Sequence, residues 1–332
     1  MSSALVNESG LDSWLRTRGN QLLGRPHPPL TVRLEKNTST HTAWLGFDDA
    51  EIRVAIKELH RDVSEGTSRD LIRICRSVVA INGALTDHLP RFLGCSPTGR
   101  HVAMEFIPGW NLERLLMSAL RRRAGCDPYP TRVLAASARV LAALHDIRSD
   151  RVGLPRSSRS IASFLDGMRR TASSLQEWGL LDRAVERLVG AASAAAGPIL
   201  ECAGSSLLPT DAQPKNILVP SESRVCFIDL DFTSGPRGLG VAFFLVSLDR
   251  IALRSHGSRA LEIVDAWKRA FAQSYLEASD PHVAREIDFF YPWMLVQVMS
   301  DHLRQRPLLS WPLAARYRWL LRAVSLRSSS AG

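Results

Sequence analysis

Residues 207–232 read "LLPTDAQPKNILVPSESRVCFIDLDF", and this segment contains the most informative pattern in the sequence. Two apolar, strand-like segments within it, "NILV" and "VCFID", flank a polar turn and predict a pair of adjoining strands. Asp211 and Asn216 stand in the turn that leads into the first strand, and Asp229 ends the second. Pairing of these strands would bring Asn216 and Asp229 together at one edge.

These three side chains have distinct chemical uses. An amide oxygen of Asn216 beside a carboxylate oxygen of Asp229 suits Mg²⁺, which takes a few protein oxygens together with substrate phosphates. Asp211 can then orient a hydroxyl group and accept its proton. Asp and Asn also favour turns simply by bonding their own backbone. The apolar neighbours of Asp229 favour a functional site, because a carboxylate in such surroundings usually has a charged partner.

Lys57, in the predicted strand "IRVAIKEL", adds a fourth feature. A lysine among apolar strand residues needs an anion, and nucleotide phosphates supply one. Its alternative role is that of an edge-strand lysine that opposes aggregation. Together with Asp211, Asn216 and Asp229 it forms the set used in phosphoryl transfer: an anion anchor, two metal ligands and an acid that orients a hydroxyl.

The composition is that of a globular protein. Of 332 residues, 45% are apolar and 23% charged, and this length predicts one large or two modest domains. The formal charge of +9 would favour anionic partners. The basic residues are scattered, however, so we interpret the charge as a generally basic surface and expect no nucleic-acid partner.

The cysteines and the apolar runs predict a soluble protein of the cytoplasm. Five cysteines without paired spacing argue against a disulfide framework or a structural zinc site. The first residues contain no apolar signal core. The longest apolar runs are too short to span a bilayer.

Hydrophobic periodicity divides the chain into a strand-rich part and a helical part. An amphipathic helix is predicted over residues 11–24, followed by three alternating segments that predict an antiparallel meander. A helix from Ser68 to Asn82 and two further strands, "LPRFLGCS" and "HVAMEFI", complete this part. After "PGWN" nearly every segment is helical except the stretch quoted above, and "TRVLAASARVLAALHDI" predicts a buried helix.

We therefore predict four segments. They are an N-terminal helical extension over residues 1–29, a strand-rich lobe over 30–107, a helical lobe over 108–325 and a disordered tail over 326–332. A ligand site is expected between the two lobes, since clefts form preferentially at domain boundaries.

The order of these motifs resembles the protein-kinase-like fold, in the branch of the aminoglycoside phosphotransferases and choline kinases. Besides VAIK, the D-x-x-x-x-N turn and the Ile-Asp strand end, "HVAMEFIPGWNLERLL" is similar to the branch's hinge and "VLAALHDI" to its helix ending in Leu-His. "FIDLDFTSGPR" is similar to its metal-binding strand, with Asp231 as a second acid. The resemblance implies an α+β, two-lobed fold with a small antiparallel-sheet N-lobe and a large helical C-lobe.

The resemblance also implies a nucleotide site. The glycine-free loop containing Thr38, Ser39 and Thr40 would meet the phosphates through backbone amides and hydroxyls. Glu105 and Ile107 would offer backbone groups to an adenine ring. ATP and Mg²⁺ are the expected cofactors.

An acid from the helix of the strand-rich lobe should pair with Lys57, and either Asp70 or Glu65 could serve. Asp231 either binds a second metal ion or bonds to its own turn. Two positions depart from the family pattern: Pro209 replaces a scaffold histidine, and Gly240 replaces an aspartate that braces the helical lobe.

The function implied is ATP-dependent phosphorylation of a hydroxyl on a small molecule, such as an antibiotic, a sugar or an amino alcohol. The expected partners are therefore a nucleotide and this acceptor, and the basic chain argues mildly against a polycationic acceptor. The departures at Pro209 and Gly240 motivate an alternative, a nucleotide-binding pseudokinase that acts as a scaffold or regulator.

Overall fold

The structure is a computed structural model of the full chain. It describes residues 31–37, 41–48, 51–59, 65–122, 127–154, 205–255 and 258–305, with isolated positions 11, 14, 166, 167, 170, 171, 173, 190 and 199. The chain divides into two compact units. The first comprises Met1–Gly109 with Cys226–Ile228, and the second comprises Trp110–Val225 with Asp229–Gly332.

The first unit contains a five-stranded antiparallel sheet. Its strands are β1 (Thr31–Asn37), β2 (His41–Asp48), β3 (Glu51–Leu59), β4 (Phe92–Cys95) and β5 (His101–Glu105), in the order β1-β2-β3-β5-β4. The predicted meander and the two later strands are confirmed. The alternation of apolar and polar residues along β3 is the pattern of a strand with one buried face.

Two residues from the N-terminal part of the chain pack against this sheet. Leu11 and Trp14 are helical and buried, and they pack in one cluster with Val54, Ile56 and Ala103 of the sheet. This agrees with the predicted N-terminal helix at those two positions. The rest of that predicted helix lies outside the described residues.

The helix of the first unit is α1 (Glu65–Ile81), which begins about one turn earlier than predicted. It buries Ile72, Cys75 and Val78 on one face. Asn82 follows it and starts a 3₁₀ helix, with its side chain accepting a hydrogen bond from the backbone of the next turn. Such a cap ends one helix and begins another.

The second unit opens with β6 (Trp110–Asn111) and α2 (Leu112–Arg121). The Asn111 side chain accepts a 2.8 Å hydrogen bond from the Arg114 amide. This bond satisfies one of the amides that every helix start leaves without a partner. The helix therefore begins where the sequence places an asparagine.

The long helix α3 (Pro128–His145) is buried along most of its length, as its apolar sequence predicts. Asp127 caps it by accepting a 2.9 Å hydrogen bond from the Tyr129 amide. Residues 158–203, which belong to the predicted helical lobe, fall almost wholly outside the described residues.

Four short strands frame the quoted stretch: β7 (Ser206–Pro209), β8 (Ile217–Ser221), β9 (Arg224–Phe227) and β10 (Phe232–Gly235). The predicted pair β8 and β9 forms, and β6 joins it in a three-stranded sheet. A second, two-stranded sheet pairs β7 with β10 in antiparallel register. Sequence analysis did not predict the β7–β10 pairing.

The described remainder of the chain is helical, as predicted, with α4 (Arg237–Arg254), α5 (Ser258–Glu277) and α6 (Val283–Gln305). The start of α4 lies against α6, where the Gly238 amide donates a 2.8 Å hydrogen bond to the Glu286 carboxylate. Aromatic side chains of α6 are buried, as expected for core residues: Phe289, Phe290 and Trp293. The sequence contains further aromatic residues near its C-terminal end, and Trp311, Tyr317 and Trp319 lie outside the described residues.

A buried polar cluster links these three helices. Lys268 of α5 contacts Asp249 of α4 at 2.8 Å and the Tyr291 hydroxyl of α6 at 2.9 Å. The Tyr291 hydroxyl donates to the second Asp249 oxygen at 2.6 Å. Since a buried charge needs a partner, this cluster fixes the relative placement of the three helices.

None of the helices in the described part of the chain is long and apolar enough to cross a membrane.

Candidate active site

Two strands hold the ends of the turn that carries Asp211. In the β7–β10 pair, Pro209 lies opposite Phe232. One residue further, the Thr210 amide donates a 2.8 Å hydrogen bond to the Asp231 carbonyl. Asp211 therefore leaves a fixed strand end, and its backbone direction is set by pairing with residues 231 and 232.

The Asp211 carboxylate is held by three side chains of its own turn. Asn216 Nδ2 donates to Oδ2 at 2.8 Å, and Lys215 Nζ lies 3.0 Å from the same oxygen. Gln213 Nε2 donates to Oδ1. The side chain keeps 32% of its surface exposed. A carboxylate that is oriented by its neighbours and still open to solvent can receive a hydroxyl from a ligand.

Asn216 is buried, and its amide group is oriented by Asp211. Nδ2 donates to the Asp211 carbonyl at 2.9 Å as well as to the carboxylate. Because both hydrogen bonds use the nitrogen, the amide oxygen is directed to the other side. This oxygen is the atom that a metal ion would require.

Asp229 has a left-handed backbone conformation, with φ of 56°. Positive φ is uncommon for residues other than glycine, although Asp and Asn adopt it more readily, and such strain concentrates at functional sites. The sequence pattern predicted that Asp229 ends the strand. In the structure β9 ends at Phe227, and Asp229 lies just beyond it. The left-handed turn redirects the carboxylate relative to the strand.

Asp231 is exposed and takes part in the local turn. Its Oδ1 accepts a 3.0 Å hydrogen bond from the Phe232 amide, and its carbonyl accepts a 3.2 Å hydrogen bond from the Thr210 hydroxyl. The expected turn-bonding role is therefore present, and its second carboxylate oxygen is the one that a metal would use. Within the described ranges, no group of three or more His, Cys, Asp or Glu side chains could hold a metal by itself.

Lys57 lies on β3, half-buried, opposite Ala43 of β2 and Val102 of β5. Its neighbour Glu58 points to the other face, where it pairs with Arg100 at 2.8 Å. Alternation along the strand therefore separates the two side chains as expected. The Glu58 side chain is 16% exposed, and its carboxylate also lies 3.8 Å from His101 Nε2.

Asp70 does not fit the expected pairing with Lys57. Its side chain is 62% exposed and contacts Arg73, one turn further along α1, at 3.3 Å. A carboxylate engaged at the helix surface is directed away from the sheet. The alternative acid, Glu65, begins the helix, and its side chain lies outside the described residues.

The remaining nucleotide-binding residues are only partly described. Thr38, Ser39 and Thr40 lie outside the described residues. The Glu105 amide donates a 2.9 Å hydrogen bond to the Arg91 carbonyl, so this amide is already used within the first unit. Ile107 is buried in the segment that follows β5.

His145 has the structural role expected for a polar residue at the end of an apolar helix. It is fully buried, and its Nδ1 lies 2.7 Å from the Tyr275 hydroxyl. Burial, with a further contribution from the nearby charge of Arg237, lowers its pKa to about 3. The imidazole is therefore neutral at physiological pH and serves packing and hydrogen bonding, not proton transfer.

Two residues beside the site were missed by sequence analysis. Gln213 orients Asp211, and Arg250 of α4 donates to the Gln213 side-chain oxygen at 3.3 Å. Because Gln213 lies in the same turn as Asp211, its position in the sequence could have indicated a contact with the Asp211 carboxylate. Arg250 is far away in the sequence, and only the packing of α4 against the turn reveals it.

Comparison with known proteins places the fold among phosphotransferases. No family model and no characterised protein sequence matches the chain. Solved structures do match. The ADP-bound aminoglycoside phosphotransferase APH(2'')-Ib superposes with a TM-score of 0.54 at 15% identity, covering 92% of this chain and 97% of that one.

Two further structures give the same result. The GDP complex of aminoglycoside 2'-phosphotransferase-IIIa has a TM-score of 0.55 at 14% identity, over 97% of this chain and all of that one (100%). The macrolide 2'-phosphotransferase MphH from Brachybacterium faecium has a TM-score of 0.53 at 15% identity, over 95% and 97% of the two chains. The chain therefore shares the fold of these enzymes, and the predicted resemblance is confirmed.

Proposed function

We propose that the chain is an ATP-dependent phosphotransferase that transfers the terminal phosphoryl group to a hydroxyl of a small molecule. The observation that carries this proposal is the orientation of Asn216, whose amide nitrogen binds Asp211 while its oxygen faces away. One turn thus presents both a candidate base and a candidate metal ligand. The solved structures that share the fold are phosphotransferases, one with bound ADP and one with bound GDP.

Asp211 would act on the acceptor. Its partly exposed carboxylate accepts a hydrogen bond from the acceptor hydroxyl and orients the oxygen toward the phosphorus atom. A new oxygen–phosphorus bond forms while the bond to the leaving ADP breaks, and the hydroxyl proton passes to Asp211 late in the reaction. Lys215 and Gln213 also contact the carboxylate, and the acceptor hydroxyl would use the part of it that is open to solvent.

The donor set of the site fits Mg²⁺. Asn216 would contribute its amide oxygen, Asp229 a carboxylate and Asp231 a second carboxylate oxygen. These are hard ligands, and they are few, which suits an ion that completes its coordination with phosphate oxygens and water. The ion would neutralise part of the phosphate charge. The strained backbone of Asp229 supports this role, since strain is retained where function requires it.

The nucleotide-binding part of the proposal involves the first unit. Lys57, half-buried on β3, would provide the positive charge for the phosphates. Backbone groups of Glu105 and Ile107 would contact the adenine ring. Thr38, Ser39 and Thr40 would contact the phosphates. A two-lobed arrangement of the units is part of this proposal.

The test is a comparison of wild type with Asp211→Asn in an assay of acceptor-dependent ADP release. The variant keeps the shape and loses the charge, so turnover should fall by roughly 10²–10⁴-fold while Mg²⁺-nucleotide binding is retained. Asp150→Asn, the same change at a surface carboxylate paired with Arg148, should have no effect. Nucleotide binding without turnover in wild type, across alcohols, sugars and antibiotics, would support the pseudokinase alternative instead.

A further inference from the structure

Arg250 of α4 lies next to the turn that holds Asp211. Its Nη1 donates to the Gln213 side-chain oxygen at 3.3 Å, and the amide nitrogen of the same Gln213 donates to Asp211. One glutamine side chain thus separates a permanently charged guanidinium from the proposed base.

The charge on Arg250 is poorly compensated. The residue is half-buried, and its Nε atom is buried without a hydrogen-bond partner in the part of the chain that the structure describes. The hydrogen bond to Gln213 is long and goes to a neutral group. Removing a charged donor from water without satisfying it is costly, so such a group calls for an explanation.

Two cations close to Arg250 do have carboxylate partners. Arg254, one turn further along α4, pairs with Glu113 at 2.5 Å. Lys268 pairs with Asp249, the residue that precedes Arg250. Over the ranges described, Arg250 has no carboxylate partner within ion-pair distance. Within the described ranges the nearby acids are thus already engaged with other cations, which leaves Arg250 available to an anionic group of a ligand.

We infer that Arg250 binds an anionic group, a carboxylate or a phosphate, on the acceptor whose hydroxyl Asp211 receives. This inference rests on the proposed function and specifies its substrate class. A guanidinium presents several donors in one plane and binds carboxylate or phosphate through two of them at once. With Lys215 on one side of Asp211 and Arg250 behind Gln213 on the other, a cationic acceptor would meet repulsion here.

The experiment uses four probes with one carbon skeleton: glycerol, aminopropanediol, glycerate and glycerol phosphate. Binding to the full-length chain is measured by calorimetry, with and without Mg²⁺-ADP, for wild type, Arg250→Gln and Arg250→Lys. Wild type should bind at least one of the two anionic probes, and whichever binds distinguishes a carboxylate from a phosphate ligand. Arg250→Gln should weaken that binding by roughly tenfold to a hundredfold, and Arg250→Lys by less.

Arg254→Gln is the matched control, because it removes an arginine one turn away that is already paired and exposed, and it should leave anion binding unchanged. Melting temperatures identify any variant that fails to fold, and Arg250→Lys then carries the test. Where a probe is also phosphorylated, Arg250→Gln should raise KM for the anionic probe by a larger factor than it raises KM for glycerol.

Three results would overturn the inference: no binding of either anionic probe by wild type at millimolar concentration, equal binding by wild type and Arg250→Gln, or an equal loss for all four probes. The last result would instead assign Arg250 to positioning Gln213. Failure of the proposed function is seen separately, as the absence of any Mg²⁺-nucleotide binding, while the measurements without nucleotide still report on Arg250.

Discussion

The imidazole of His145 lies directly against Gly240, and a Cβ atom placed on Gly240 would stand 2.7 Å from its Cε1 atom and 2.8 Å from its Nε2 atom. Such distances are shorter than real Cβ contacts. The His145 ring cannot easily move away from Gly240, because its Nδ1 atom is hydrogen-bonded to the Tyr275 hydroxyl and the ring is fully buried. The glycine at a position where the resemblance implies a bracing aspartate is therefore a packing requirement of this chain.

Gly240→Ala should therefore destabilise the protein. The added methyl group has to displace a buried ring, which costs about 1–3 kcal/mol, and the better helix propensity of alanine returns less than about 1 kcal/mol. Chemical denaturation of the two proteins measures the difference. Gly83→Ala is the control, because a Cβ there meets nothing within 4 Å and its stability should stay within about 0.5 kcal/mol of wild type. Equal stability of Gly240→Ala and wild type would contradict the close contact.

His145 should make stability depend on pH. Its pKa is about 3 in the folded chain, against about 6.5 when unfolded, so in this interval the unfolded state binds a proton that the folded state does not. The stability that the neutral His145 imidazole contributes is then fully present above pH 6.5. Below this pH the free energy of unfolding decreases by up to about 1.4 kcal/mol per pH unit. His145→Phe removes this contribution. Unfolding free energies from pH 7 to 4 should fall less steeply in the variant, and identical slopes would contradict the prediction.

Gly238→Ala should be more damaging than Gly240→Ala. A Cβ at Gly238 would lie 2.6 Å from the Glu286 carbonyl carbon and 2.8 Å from the Ile287 nitrogen, both of them backbone atoms. A side chain can adjust its rotamer, whereas relief here requires α4 and α6 to separate. We expect a loss of about 3 kcal/mol or more in denaturation experiments. A loss smaller than that of Gly240→Ala would show that the two helices tolerate a wider spacing.

The metal assignment predicts an order of effects at two positions. Asp229→Ala removes a full charge and should abolish the Mg²⁺-dependent part of nucleotide binding, whereas Asn216→Ala removes one neutral ligand and should weaken it less. Titration of nucleotide with and without Mg²⁺ measures both effects. Asn216→Ala should also loosen Asp211, since it deletes a 2.8 Å hydrogen bond to the carboxylate. Undiminished Mg²⁺-dependent affinity in both variants would place the metal elsewhere.

The buried cluster of α4, α5 and α6 predicts a large stability effect. Burial opposes the charge on Lys268, but the Asp249 carboxylate at 2.8 Å outweighs it and raises the pKa of the ammonium above its usual value. Lys268→Met leaves Asp249 buried without its cation and should cost about 3–5 kcal/mol. Arg132→Met breaks an exposed pair with Glu222 and should cost less than about 1 kcal/mol. Similar losses for both variants would contradict the buried pair.

The local sequence pattern predicted much of this structure, because interactions between residues close in the sequence determine individual strands and turns. The meander of β1 to β3 and the β8–β9 pair follow from alternation, and Asp211 and Asn216 were placed in a turn by their spacing. The left-handed backbone of Asp229 leaves no trace in composition, since an aspartate after an apolar strand is compatible with several conformations. Arg250 and the β7–β10 pair depend on contacts across long sequence separations, which periodicity does not record.

The pairing of β7 with β10, closed by the hydrogen bond from Thr210 to the Asp231 carbonyl, makes residues 210–231 a loop tied at its base. Asp211 lies just inside one end of this loop, and Asp229 just inside the other. If the four-residue β7–β10 pair opened, both ends of this loop would be released, and with them the proposed catalytic Asp211 and the proposed metal ligands. In amide hydrogen exchange, the ladder and the loop should behave as one cooperative unit whose protection rises when Mg²⁺-nucleotide is bound.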